Sequence, residues 1–499
     1  MKKIVYLPLD ERPCNYSFCG FLSAGNNEIK LVRPSPSELG LKKKPADHSA
    51  IERFLSCECS DADYLILAVD MLLYGGIVPS RLHYLSQEEI FSRVDFIKSL
   101  KEANPNLKIF AFSLVMRCPT YSSGDEEPDY YENYGKEIFL YGVNEHKYLD
   151  KIITKEEYDA EKKRLNVPEK YIEDFTERRK INLSALLKTL KLVGSEIEEF
   201  LILQDDSNPY GFTALDQRAV REFTRSEGIK IDVHPGADEG GLTLLGRVLT
   251  KIKGYAPKIC PIYPKEECKN VIPLFEDREV YKSIGAQIKS AGAVVSNESD
   301  ADIYLFCNLP VGEMHNIDNP GGAQYDNRDL NSFVKKAKTL FESGKIVAIA
   351  DIAYSNGGDI GFAEMLSKSI GLLNLAGYAG WNTSSNTLGT VICQSIFFFF
   401  YGNTKTHRLF TAERVYEDIA YCSYVRQYMC ACELKRLGCS YFDAKESRGV
   451  VAERAERLLN EFTNREFPEI YNKYKIVDCY MPWSRMFEIG LIVEKRTEV

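Results

Sequence analysis

The sequence contains no Cys-x-x-Cys, no His-x-His or His-x-x-x-His, no phosphate-loop motif, and no Gly-x-Gly-x-x-Gly following a candidate strand. The first two absences remove the usual spacings of a structural zinc site, and the last two leave nucleotide cofactors unsupported. Histidine is scarce at six residues and tryptophan scarcer at two, Trp381 and Trp483. Basic runs are short: Lys42 to Lys44, Lys162 to Arg164 and Arg178 to Lys180 are triples with acids nearby, in a chain of net charge -9. Phosphate backbones are bound by concentrated positive charge, so no nucleic-acid partner is expected. The apolar start Ile4 to Leu9 stops at Asp10, and the apolar stretch Ile396 to Tyr401 falls far short of the roughly 20 residues of a membrane span. No membrane association is expected, and a cytoplasmic location is. The fourteen cysteines are sparse in 499 residues and read as buried free thiols, which suits a reducing compartment.

What is present is ample apolar material, 44% of residues with 12% aromatic, enough for a large core. Short apolar runs alternate with amphipathic stretches. Candidate strands are Lys3–Leu7, Tyr64–Val69, Lys108–Val115, Phe200–Leu203, Ile229–Val233, Ile303–Cys307, Ile346–Ala350 and Leu375–Tyr378. Most lack polar alternation, as strands buried on both faces do. Ile229–Val233 is the exception, because Lys230 and Asp232 give it one wet face. Between the strands lie helices, two of them opened by the capping boxes Ser86-x-x-Glu89 and Thr154-x-x-Glu157.

Such alternation is α/β. Eight main strands suggest a (β/α)8-barrel-like domain over residues 1–403, with 256–300 as a possible insertion. Ile259–Ile262 and Ala293–Val295 are possible extra strands, and the alternative is two doubly wound α/β domains. Residues 404–499 read as a C-terminal helical layer ending in two short strands. No internal repeat is visible.

Nearly every candidate strand runs into polar or glycine-rich residues. Asp10 and Arg12 follow the first, Asp70 the second and Arg117 the third; Asp205, Asp206 and Tyr210 follow the fourth; His234 and Asp238 follow the fifth; Asp351 and Asn356 follow the seventh; Trp381, Asn382 and Asn386 follow the eighth. In parallel α/β sheets these loops converge on one face, which carries the active site. Asn, Asp and Gly also serve turns and caps, and that plainer explanation suits any single loop, Asp359 in particular. It does not account for the adjacent pair Asp205-Asp206, or for the scarce Trp381 in a glycine- and asparagine-rich loop, where it is expected to line the ligand site. Neighbouring carboxylates at a buried strand end repel unless one is protonated or both are given work. One could cap the next helix with the other solvated, or the pair could bind a metal; on the remaining reading a raised pKa makes one a general acid near neutrality while the other stays ionised. That is the equipment of acid/base catalysis. Arg12, Arg81 and Arg117 could clamp an anionic ligand or pair with these acids. Asp10, Asp70, Asp205, Asp206, His234, Asp238 and Asp351 could in principle hold a hard cation, but a metal is not favoured.

The blocks Leu9-Asp10-Glu11-Arg12-Pro13, Gln204 to Gly211, Ala353 to Asp359 and Gly377 to Gly389 resemble those of a bacterial family of unknown function, over most of the chain. That resemblance implies no activity. More distantly, an apolar strand ending in Asp-Asp is similar to the β-N-acetylhexosaminidases that use substrate-assisted catalysis. This second resemblance implies a retaining glycosidase without cofactor. Asp205 would orient the 2-acetamido group of the sugar and Asp206 would be the general acid/base. Tyr210 would hydrogen-bond the acetamide, Trp381 would floor the sugar, and Asn382, Asn386 and Asp351 would bind its hydroxyls. A metal-dependent hydrolase of a small polar or anionic substrate, and a non-catalytic carbohydrate-binding or regulatory protein, are the other expectations.

Overall fold

The computed structural model describes residues 1–320 and 327–497. The chain divides into two compact units. The first comprises residues 1–11, 28–241 and 275–277; the second comprises 12–27, 242–274 and 278–499.

The first unit is built on a six-stranded sheet: β1 (Lys2–Leu7), β2 (Ile29–Val32), β3 (Tyr64–Ala68), β4 (Lys108–Val115), β5 (Ile197–Gln204) and β6 (Asp232–Pro235). The order is β2-β1-β3-β4-β5-β6, and every pairing is parallel. The Tyr-Leu-Ile-Leu-Ala run of β3 is buried at all five positions, as expected of a strand covered on both faces. The apolar runs thus foretold the central strands well. β6 begins three residues after the start expected at Ile229. It pairs only with β5, and its exposed Asp232 suits an edge. Both capping boxes form, at the starts of helices Gln87–Ala103 and Lys155–Leu165.

The second unit carries a five-stranded sheet: β7 (Lys258–Ile262), β8 (Val294–Val295), β9 (Ile303–Asn308), β11 (Ile346–Asp351) and β13 (Gly377–Ala379). Two short strands, β10 (His315–Asn316) and β12 (Tyr354–Ser355), pair with each other. The main order is β13-β11-β9-β7-β8, again all parallel. Residues 256–300 are therefore the opening of this sheet. In both units the first strand lies between the second and the third. This reversal of strand order is compatible with a doubly wound α/β arrangement.

The eight anticipated strands are thus all found, but they do not form one sheet. β1, β3, β4, β5 and β6 lie in the first sheet and β9, β11 and β13 in the second. The expectation of a single eight-stranded barrel gives way to two parallel sheets. The apolar pattern reports burial of each strand; it does not report which strand pairs with which.

Residues beyond 403 lie within the second unit. Helix Lys405–Arg414 runs directly into a π-helix, Val415–Val425. After helix Val450–Glu466, β14 (Tyr474–Tyr480) and β15 (Gly490–Lys495) form an antiparallel pair. These elements share one core with the sheet, in which Phe306, Ile349 and Tyr378 join Tyr416, Ile419, Leu459 and Leu491. Among the described residues, no helix is long and apolar enough to cross a membrane, and all fourteen cysteines are free; ten are buried as expected, but Cys439 is half-buried and Cys57, Cys430 and Cys432 are exposed.

Candidate functional site

In the first unit the C-terminal ends of β3, β4 and β5 meet a network of charge. β5 ends at Gln204 and delivers Asp205 and Asp206; β4 ends at Val115, two residues before Arg117. A short 3-10 turn, Pro79–Arg81, supplies Arg81. The Arg81 guanidinium donates to Asp205 Oδ2 at 2.8 Å, Glu126 Oε2 at 2.9 Å and Glu127 Oε1 at 3.3 Å. Arg117 donates to the same oxygens of Glu127 at 2.8 Å and Glu126 at 3.1 Å, and to Asp206 Oδ2 at 3.3 Å. Two guanidiniums therefore serve four carboxylates, and negative charge is in excess. Arg179 fixes the strand end from below, donating to the carbonyls of Met116 at 2.8 Å and Arg117 at 2.9 Å.

This arrangement sets the proton affinities. Burial pushes the Asp206 carboxyl up to about 7; the charge of Asp205 adds to the shift, and Arg117 and Arg81 oppose it. Asp205 is also raised, by burial first, with Arg81 and Arg117 pulling the other way. Asp206 sits in left-handed backbone, φ +40°, a region that Asp and Asn enter more readily than other non-glycine residues. The turn redirects the chain just after Asp205, so the two side chains need not diverge as they would on an extended strand. Beside them Asp70 accepts from Ser113 Oγ at 3.0 Å and from Leu114 N at 3.1 Å, and burial lifts it to about 6. A cavity of about 20 Å³ bounded by Asp70, Arg81, Arg117 and Asp205 has room for one water-sized molecule.

The second unit gathers its own polar cluster at the ends of β9, β11 and β13. Asp351 accepts from Tyr378 OH at 2.7 Å, Asn308 Nδ2 at 2.8 Å and Asp359 N at 2.8 Å. Burial and the charge of Asp359 raise it to about 7. The loops after β11 and β13 approach so closely that a Cβ on Gly380 would lie 3.0 Å from Gly358 Cα and 3.1 Å from the Asp351 carbonyl. The π-helix ties both loops down: Asp418 accepts from Gly380 N at 2.8 Å through its carboxylate and from Gly358 N at 3.0 Å through its carbonyl. Arg414, fully buried, reaches Asp418 at 2.8 Å and also pairs with Glu417 and Glu413, while its guanidinium lies 4.0 Å from the centre of the Phe18 ring.

A family model described as "Protein of unknown function (DUF4127)" matches residues 4–492. The chain belongs to that family. A search of the curated proteins finds no match.

For this DUF4127 member the residues expected at a site fall into two groups. Asp10, Asp70, Arg117, Asp205, Asp206, Tyr210, His234 and Asp238 lie in the first unit; Arg12, Asp351, Asn356, Trp381, Asn382 and Asn386 lie in the second. Arg117, Asp205 and Asp206 share one network. Asp238 is buried, and its charge acts on Asp205. Asp10 and His234 are also buried, with His234 Nδ1 donating to the Pro235 carbonyl at 2.9 Å. Tyr210 is partly exposed and stands edge-on to His146, ring centres 5.3 Å apart, on helix Tyr131–Leu149.

Trp381 is a correction. It is 4% exposed, donates its indole N–H to Thr390 Oγ1 at 3.2 Å and packs edge-on against Phe18. A sugar floor needs an exposed ring face, so Trp381 is a core residue. The other tryptophan, Trp483, is also buried, and the guanidiniums of Arg12 and Arg485 lie 4.4 and 4.5 Å from its ring centre. Arg12 also stands 3.7 Å from Glu488.

Asn356 and Asn382 occupy left-handed backbone at φ +63° and +50°, and Asn356 N donates to the Asn382 carbonyl at 2.7 Å. Their identity answers to loop geometry. Asn386 is buried in the first turn of helix Ser384–Tyr401, where its N–H donates to Thr383 Oγ1 at 3.4 Å.

Sequence reasoning did not single out Glu126 and Glu127, which sit in a loop without periodicity. It also missed Glu413, Arg414, Glu417 and Asp418. The available signal there was a cluster of charge inside an otherwise apolar helical stretch. Among the described residues, no group of three or more His, Cys, Asp or Glu is arranged to hold a metal ion.

Proposed function

We propose that the protein is a retaining glycoside hydrolase acting on a 2-acetamido sugar, with the substrate's own acetamido group as nucleophile. The observation that carries this reading is the pair Asp205-Asp206. Asp206 is raised to about 7, so at neutral pH a large share of it holds the proton that a leaving oxygen needs. Asp205 is gripped by Arg81 at 2.8 Å, which favours its ionised form and one orientation. Asp206 gives its proton to the leaving oxygen. Asp205 orients the acetamide and balances positive charge as its oxygen closes on the anomeric carbon. Asp206 then takes a proton from water as the cyclised intermediate opens. The wider barrel and the sugar-binding roles of the second unit's residues form no part of this reading.

The test is hydrolysis of aryl glycosides with and without a 2-acetamido group, each with and without a chelator. Turnover confined to the acetamido sugars, insensitive to chelation, with a thiazoline mimic of the intermediate inhibiting far better than the product sugar, supports the proposal. Equal turnover of plain 2-hydroxyl sugars would overturn it, as would a glycosyl-enzyme trapped with a fluorinated substrate. Loss of activity on chelation would instead favour a metal-dependent hydrolase.

A further inference from the structure

A second concavity in the first unit, of about 460 Å³, has a chemistry at odds with the chain as a whole. The protein carries a net charge of -9, yet the ionisable residues facing this cleft are Lys43, Arg93, two histidines and two tyrosines, with no carboxylate among the described lining. Arg93 projects from helix Gln87–Ala103 and its guanidinium donates to the Leu73 carbonyl; among the described residues no acid stands in ion-pair contact with it, though the charges of Glu89 and Glu52 act on it, while Lys43 pairs with the exposed Asp129 at 3.3 Å. His48 Nε2 is shielded from solvent without a hydrogen-bond partner, the acid on its own helix, Glu52, standing 3.7 Å away. The pKa of His48 is depressed, first by burial and then by the charge of Arg93, with Glu52 and Asp47 pulling the other way.

The walls are flat and apolar. Tyr74 and His83 stack with ring centres 4.8 Å apart and planes 17° from parallel. Both nitrogens of His83 are engaged, Nε2 with Asn182 Oδ1 at 2.7 Å and Nδ1 with Leu85 N at 3.2 Å, so the ring offers only its face. Tyr84, also in the lining, is 84% exposed, with the Arg178 guanidinium 5.1 Å from its ring centre.

We propose that the cleft lined by Lys43, His48, Tyr74, His83, Tyr84 and Arg93 binds a small anion with a flat apolar body, such as an aromatic carboxylate. The guanidinium takes the carboxylate and the Tyr84 ring covers the body. The volume is that of a small-molecule pocket. Pro79 and Leu82, also in the lining, bracket the 3-10 turn that carries Arg81, so an occupant would touch the segment that holds Asp205. The proposal does not depend on the hydrolase reading.

The test is titration calorimetry on the full chain with 4-hydroxyphenylacetate, its neutral amide and acetate. The carboxylate is expected to bind, with the amide and acetate each at least about tenfold weaker, because a charge-assisted hydrogen bond and aromatic burial both contribute. Arg93→Gln and Tyr84→Ala are each expected to weaken binding by about tenfold. Lys43→Gln serves as a second charge variant, and circular dichroism checks each fold. Absence of binding at millimolar carboxylate would overturn the proposal. So would equal affinity for acid and amide, or unchanged affinity in both Arg93→Gln and Lys43→Gln.

Discussion

For the proposed general-acid role, Asp206 offers a carboxyl lifted to about 7, with a cation 3.3 Å away that keeps the shift from growing larger. Because the acid must be protonated to act, kcat/KM on a cleavable glycoside is expected to fall as pH rises through about 7. Arg117 lowers the Asp206 pKa, so Arg117→Gln should move that alkaline limb to higher pH; a limb that stays in place would separate Arg117 from the titration. Asp206→Asn should lose roughly two to four orders of magnitude in turnover. The fold should survive, since asparagine tolerates the left-handed backbone there. Near wild-type turnover in a folded variant would remove Asp206 from the chemistry. This pair stood out in the sequence because two adjacent acids one glutamine beyond an apolar run have few structural uses. Trp381 was misread for the complementary reason. A glycine- and asparagine-rich neighbourhood looks exposed, but here those residues serve left-handed turns and close loop contacts, and the indole fills the space beneath.

At the scale of elements, the buried parallel strands were legible because unbroken apolar runs have one common cause. Closure was not, because pairing depends on contacts far apart in sequence. β2 escaped notice because Ile29–Val32 is short, with Lys30 exposed within it. The π-helix was beyond reach, since its residue pattern does not differ from that of an ordinary helix. Eleven residues of π-helix are uncommon, as such geometry mostly occurs as single-turn bulges at functional sites. Here it sets Asp418 against two loops and follows directly on Arg414. Arg414→Met should therefore destabilise the protein by about 3–5 kcal/mol at pH 8, because the buried carboxyls lose the cation that favours their ionised forms and must take up protons to stay in the core. The cost should be smaller at pH 6, because burial already raises the proton affinity of Glu413, Glu417 and Asp418 and loss of Arg414 raises it further, so protons are taken up more readily there. Denaturant unfolding at the two pH values checks this; equal losses at both would mean that packing against Phe18, not charge, is what Arg414 supplies.

At the scale of the whole molecule, the chain builds the same strand order twice, with no sequence repeat to announce it, and leaves its first unit for residues 12–27 before returning. Both units bury carboxyls whose proton affinity is raised: Asp70 and Asp206 in the first, Asp351, Glu413, Glu417 and Asp418 in the second. Unfolded, such groups titrate near pH ~4, so between ~4 and their folded values the native state holds more protons than the unfolded chain. Their contribution to stability is complete at low pH and is lost as pH rises through about 6 to 8. Histidines act in the opposite sense. Burial lowers His407 to about 4 and also depresses His48, His83 and His146. Their contribution is present above the unfolded histidine value of about 6.5 and is lost as pH falls below it. Between pH ~8.5 and ~6.5 the raised carboxyls, and at the upper end the buried thiols whose pKa is also raised, such as Cys59 and Cys118, both favour the native state on acidification, so the melting temperature should rise across that window, with the histidines opposing the rise increasingly as pH approaches ~6.5. Glu413→Gln, which keeps the shape and removes the highest of these titrations, should flatten the slope above pH ~7. A melting temperature that falls steadily from pH ~8.5 to ~6.5, or a slope untouched by Glu413→Gln, would show that these carboxyls are not held in the protonated state by the native fold.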